Sequence, residues 1–214
     1  MNTHPFIPCH LWPTVAICGL LTGVCQAQTP VTETAAMPVA NGSQAVKVAR
    51  ESPRYLLMGT HGRAVRSEDF RERFQLIAFG FVSCPDVCPT TMLEMQQVLA
   101  ALGERAQRLQ PIFITIDPQR DTPEVLKAYT GNFDKRILGL SGSAELVQFA
   151  ARSFKVEYRK VQEPGAPPGV YTMDHTAGMF LLGPDGQLLK KFGYSTPVKE
   201  VVTSIEQWMQ AEVR

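Results

Sequence analysis

Two cysteines separated by three residues, Cys84 and Cys88, stand in the run GFVSCPDVCPTTM, directly after the apolar stretch Leu76 to Val82. Such a pair supports three chemistries: a reversible disulfide, part of a soft-metal site, or a structural staple. Four positions apart on a helical turn, the Cα atoms lie about 6 Å from each other, inside the range a disulfide tolerates. The same approach lets two thiolates converge on one soft ion such as Cu(I), but two sulfurs leave a site incomplete for most metals, so a third ligand is needed. A bridge closing so short a loop restrains little chain entropy, which makes the staple the weakest of the three.

The third ligand would have to be an imidazole from elsewhere in the chain. Of the four histidines, His4 and His10 fall in the N-terminal segment, and His61 in THGR reads as a solvated turn residue. His175, in YTMDHTAGMFLL, precedes a predicted strand that could neighbour the cysteine-bearing one. It also follows the loop EPGAPPGV, which could carry it toward or away from the sulfurs. Spacing alone leaves it either a satisfied polar residue or a ligand. Met173 shares its face in an extended segment and reads as packing, with a thioether near a metal as the alternative. Asp86 either caps a helix or meets a partner, and Asp174 either orients His175 or stays solvated. Asp117, Arg120 and Asp121, in DPQRDTPE, are expected to fix a loop and cap a helix.

The elements that must position these groups are legible as alternating periods. Tyr55–Met58 and Ala64–Val65 flank GTHGR as a small hairpin, then a short helix covers Ser67–Phe70 and a buried strand Leu76–Val82. Met92, Met95, Leu99 and Leu102 recur at helical spacing up to Gly103, and Pro89 suits a first turn, which predicts a helix over Cys88–Leu102. Cys88 belongs to that buried stripe. Cys84 precedes it in the strand-to-helix turn, where free N–H groups and the positive helix end favour a thiolate. A second buried strand, Pro111–Asp117, leads into DTPEVLKAYTGNF, which carries helix-start signals. A strand at Ile137–Leu140, a helix at Ser143–Ser153 and an extended piece at Phe154–Val161 follow. Strands Ala177–Leu182 and Gln187–Phe192 joined by GPDG, and a helix from Pro197 to about Ala211, close the chain. This α/β order implies a central mixed β-sheet flanked by helices with an added hairpin, a thioredoxin-like architecture.

At 214 residues, 44% hydrophobic and 19% charged, the chain holds one ordinary domain. A formal charge of +1 and the absence of a basic block give no reason to expect nucleic acid. Met1–Pro30 has no Asp, Glu, Lys or Arg, and Leu11–Cys25 is its apolar centre. That run is shorter than the roughly 20 apolar residues of a bilayer span, so 1–27 is expected to be a signal peptide, with an N-terminal anchor as the alternative. A linker over 28–51 and a domain over 52–214 follow. Cys9, Cys18 and Cys25 lie in the leader, so an exported mature protein would keep only Cys84 and Cys88. Thiols in such a compartment must form a disulfide, hold a metal, or alternate between the two.

Three blocks, FGFVSCPDVCPTTM, FITIDPQRDTPEVLKAY and YTMDHTAGMFLL, occur in the order in which they characterise the Sco/SenC family of copper-binding proteins, and the chain resembles that family from about Tyr55 to Met209. The resemblance implies a thioredoxin-like fold and copper, Cu(I) or Cu(II), bound by Cys84, Cys88 and His175. It also implies a metallochaperone role in maturing the dinuclear copper site of cytochrome c oxidase. The partner would then be the copper-receiving subunit of that oxidase or another copper protein, met in the bacterial periplasm by a chain that is soluble or anchored to the inner membrane. Thr176 stands where the family often has Ser, and the GVYTM run keeps an aromatic residue typical of that loop. The rival function is a thiol–disulfide oxidoreductase using Cys84 and Cys88 as its redox pair, although CxxxC is longer than the usual CxxC. A thiol peroxidase or passive copper buffer ranks last, since SCPDVCPTT offers no cation to a reactive thiolate.

Overall fold

The computed structural model describes residues 51–167 and 169–212. The expected leader, and the expected linker apart from Glu51, lie outside the described residues. Glu51 already touches the fold, its carbonyl accepting a hydrogen bond from the Leu188 N–H at 2.7 Å. Among the described residues no helix is long and apolar enough to cross a membrane.

The strands, in chain order, are β1 (Leu56–Gly59), β2 (Ala64–Arg66), β3 (Phe74–Gly80), β4 (Leu109–Thr115), β5 (Leu138–Ser141), β6 (Tyr158–Val161), β7 (Thr172–His175), β8 (Met179–Leu182) and β9 (Leu188–Phe192). The helices are α1 (Val87–Leu102), α2 (Pro123–Phe133), α3 (Ala144–Ser153) and α4 (Val198–Glu212). Seven strands form one sheet in the order β2-β1-β5-β4-β3-β8-β9. β3, β4 and β5 run parallel, while β1 and β8 flank them antiparallel. The sheet is therefore mixed, as the element order predicts.

Every residue of β3 is buried, because both faces of the strand are covered. Its alternation splits the core in two. Leu76 and Ala78 join Met92, Met95 and Leu99 of α1, Leu126 of α2 and Ile205 of α4 on one face. Ile77 and Phe79 join Ile112 and Ile114 of β4 and Val147, Ala150 and Ala151 of α3 on the other. The observed β3 starts and ends two residues before the predicted strand. Phe81 and Val82 continue the apolar run but not the ladder, since the Val82 N–H donates instead to Asp121 Oδ2 at 3.0 Å.

The strand that carries His175 is not announced by the sequence pattern. Thr172–His175, read only as an extended segment carrying Met173 and His175 on one face, is β7, and it pairs only with β6 in a separate two-stranded ribbon, with Tyr158 opposite His175 and Lys160 opposite Met173. TMDH is short and polar, so neither burial nor alternation announces it in the sequence.

Candidate metal centre

At the end of β3 the chain bends through Phe81 and Val82 into α1, and both cysteines lie on that bend. The Cys84 N–H donates to the Phe81 carbonyl at 3.3 Å, fixing the turn. Cys88, in the first turn of α1, is 2% exposed, whereas Cys84 is half-buried. The first N–H groups of a helix have no carbonyl partner within it. One of them, from Cys88, donates to Cys84 Sγ at 3.4 Å. The helix start thus aims a dipole at the outer sulfur, the arrangement expected from the turn. Asp86 occupies the N-cap position but makes no side-chain cap bond.

Gly80 makes room for the inner sulfur. A Cβ at this position would lie 2.7 Å from Cys88 Sγ and 2.8 Å from Phe113 Cε2, closer than carbon contacts allow. Burial pushes the Cys88 thiol well above its ordinary value, so in the metal-free protein it keeps its proton.

His175 ends β7 with Nε2 3.7 Å from Cys88 Sγ. Its Nδ1 lies 3.0 Å from the Thr176 carbonyl, which can only accept, so Nδ1 carries the proton of the neutral ring and Nε2 presents its lone pair toward the sulfur. Burial lowers the imidazole pKa, favouring the neutral form that ligates metals. The ring also meets Phe81 edge to face, with centroids 6.1 Å apart and planes at 82°. Thr176 closes the ribbon: its N–H donates to the Glu157 carbonyl at 2.9 Å and its hydroxyl accepts from the Glu157 N–H at 3.2 Å.

Cys88 and His175 are in contact, and Cys84 joins them through the Cys88 amide. Met173 packs, like Cys84, against the α3-side core, and Met92 and Met95 are fully buried. His61 stays in its hairpin turn, its Nδ1 accepting from the Arg63 N–H at 3.2 Å. Asp174 does not orient His175; it pairs across the ribbon with Arg159 at 3.0 Å on the exposed face. Of the Asp and Thr that open DTPE, it is Thr122 that caps α2, accepting from the Val125 N–H. No three His, Cys, Asp or Glu side chains among the described residues are already gathered as a cation site, so a three-ligand set would form by drawing Cys84 onto the Cys88–His175 pair. A cleft of about 420 Å³ opens beside His175, lined by residues of both ribbon strands. A larger cleft, about 1130 Å³, lies elsewhere, between the β1–β2 turn and α2.

The DPQRD loop between β4 and α2 does more than its sequence announced. The Thr115 hydroxyl donates to Asp121 Oδ2 at 2.6 Å, the same oxygen that receives Val82 N–H. Burial raises the pKa of the Asp121 carboxyl, with these hydrogen bonds opposing the shift. Arg120 pairs with Asp117 and donates from Nη1 to the Tyr171 carbonyl at 2.9 Å, a contact across 51 residues that no local pattern signals.

Fold and site together define a thioredoxin-like protein with a paired-cysteine and histidine centre at the C-terminal end of a central strand. The SCO1/SenC family model matches residues 43–210. The SCO2-like protein of Rickettsia felis is 36% identical over 146 residues, 68% of this chain and 71% of that one. The structure of Bradyrhizobium japonicum ScoI with copper bound is 35% identical, with a TM-score of 0.67 over 73% of this chain and 98% of that one. BsSco, described as having a disulfide switch and as a member of the Sco family of cytochrome c oxidase assembly proteins, is 25% identical, with a TM-score of 0.57 over 76% of this chain and 95% of that one. The chain belongs to the SCO1/SenC family.

Proposed function

We propose that the protein is a copper metallochaperone that holds its cargo through Cys84, Cys88 and His175 and helps mature the dinuclear copper site of cytochrome c oxidase. The observation that carries this reading is the His175 Nε2 lone pair facing Cys88 Sγ at 3.7 Å, with Nδ1 tied to a backbone carbonyl. Two thiolates suit Cu(I), and the imidazole adds a ligand that Cu(II) accepts, so one site can serve both states. Family membership and the copper in the Bradyrhizobium japonicum relative support the same reading. The half-buried Cys84 is the sulfur that incoming copper or a partner's ligand meets first. The buried Cys88 thiol gives up its proton as the metal replaces it.

A second reading rests on Cys84 itself. A sulfur that accepts a helix-terminal N–H and is partly open to solvent can attack a disulfide, after which Cys88 resolves the mixed disulfide and leaves the partner reduced and this pair oxidised. In that case the protein prepares cysteines of its client instead of, or before, loading them. Both readings place the domain of residues 52–214 in an exported chain, after a leader over 1–27 and a linker over 28–51.

Anaerobic copper titration of the reduced protein beside Cys84→Ser, Cys88→Ser and His175→Ala separates the readings. One tight copper per chain is expected, lost in the two serine variants and weakened for Cu(II) in His175→Ala by about 10–100-fold or more. Wild-type affinity for both copper states in His175→Ala would sink the three-ligand site. Fast turnover of protein disulfides without copper would favour the oxidoreductase.

A further inference from the structure

The ribbon β6–β7 has no ladder bond to the seven-stranded sheet, and a two-stranded ribbon alone is marginally stable in water. Something other than the sheet must hold His175 against Cys88. Tyr158 and Met173 pack on the α3-side core, and the polar contacts that join them in holding the ribbon converge on Arg120. Its Nη1 donates to the Tyr171 carbonyl at 2.9 Å, one residue before β7 begins, and its guanidinium carbon lies 3.8 Å from the Tyr171 ring centroid. The Tyr171 hydroxyl donates to Asp117 Oδ1 at 3.0 Å, while Asp117 Oδ2 pairs with Arg120 Nε. The Lys160 ammonium lies 3.5 Å from the same Tyr171 centroid. Two cations so close to one centroid occupy opposite faces, so the ring is sandwiched.

The guanidinium also reaches the metal-site side. Its carbon lies 5.8 Å from the Phe81 centroid, and Phe81 is the ring that His175 meets edge on. Arg120 Nη2 is buried without a hydrogen-bond partner among the described residues, a seat that a merely solubilising surface arginine would not take. The next residue, Asp121, grips the other half of the site through Val82 N–H. One short loop therefore holds the cysteine turn with Asp121 and the histidine ribbon with Arg120.

We propose that Arg120 is a positioning residue that latches the His175 ribbon over the cysteine turn through its stack on Tyr171, so that release of the stack withdraws the imidazole and leaves the two sulfurs as the only donors. The metal consequence rests on the three-ligand reading above, whereas the latch itself concerns the chain alone. A latched site keeps three donors; an unlatched one keeps two, which suits hand-over of the cargo. Lysine retains the charge but lacks the planar fork that can stack and donate to Tyr171 O together.

The test compares full-chain wild type with Arg120→Gln, Arg120→Lys and Tyr171→Leu, first without metal. Amide exchange of Thr172–His175 is expected to accelerate in Arg120→Gln and Tyr171→Leu while exchange in β3 and β4 stays at the wild-type rate, with Arg120→Lys in between. With copper, Cu(II) affinity in Arg120→Gln is expected to fall about 10–100-fold and the nitrogen coupling in the Cu(II) spin-resonance spectrum to weaken, with Cu(I) affinity nearly unchanged. Ribbon exchange and nitrogen coupling like wild type in Arg120→Gln would overturn the latch. So would uniform acceleration across the whole sheet, which would mark Arg120 as a general stability residue. If wild type binds no copper while ribbon exchange still responds locally to Arg120, the copper reading fails and the latch stands.

Discussion

His175 carries two roles that depend on its being neutral: it packs between Phe81 and Cys88, and it offers a lone pair to the sulfur side. Burial holds its pKa below the ordinary 6.5. The sign for stability follows from proton counting. As pH falls through 6.5 the unfolded chain takes up the imidazole proton before the folded one does, so the metal-free fold loses stability until the folded pKa is passed and then levels off. An NMR titration of the His175 ring in the reduced, metal-free protein is expected to give a midpoint below 6.5; a midpoint above it would mean that the Thr176 carbonyl and the Asp174 charge outweigh burial. Cys88, by contrast, is disfavoured as a thiolate by the same burial, so the inner sulfur and the imidazole share a preference for the uncharged state until a cation arrives.

At the scale of elements, the pair is placed by β3, and β3 by its covered faces. Gly80, the last residue of that strand, allows Cys88 Sγ to lie against the backbone. Gly80→Ala is expected to destabilise the fold by about 1–3 kcal/mol and to displace the inner sulfur. Urea melts read the first effect, and weakened Cu(I) affinity reads the second. An alanine variant with wild-type stability and affinity would show that Phe113 and Cys88 yield without cost. Much of this level was visible in the sequence, because buried strands read as apolar runs, α1 announces itself with its apolar stripe and Pro89, and α2 with Thr122 and Pro123. The end of β3 was not, since Phe81 and Val82 look like more strand while their packing and hydrogen bonds belong to the turn. β7 was hidden for the opposite reason: its residues are polar and its pairing partner lies beyond a proline-rich loop. The cysteines could be picked out by type and spacing, and His175 only with the added resemblance of its YTMDHTAGMFLL block to the Sco/SenC family. Gly80 and the Arg120–Tyr171 contact could not, because each matters only through a neighbour that the fold brings close.

Across the whole molecule, a ligand that binds only the folded state stabilises it by mass action, about 2.7 kcal/mol at a free concentration one hundred times Kd. For a domain of this size each kcal/mol raises Tm by about 2–4 °C, so saturating Cu(I) is expected to raise it by about 5–10 °C. Cys88→Ser should show no such rise in the same calorimetric scan. An equal rise in that variant would place the copper somewhere other than the proposed centre. The outline of the sheet has a consequence of its own. On one side it ends in β2, only three residues long, and on the other in β9, which carries Lys190 and Lys191 opposite an irregular register at Leu181/Leu182. Short, charged and irregular borders give the strand of a second copy little to pair with, so the large sheet is guarded against growing from one molecule into the next.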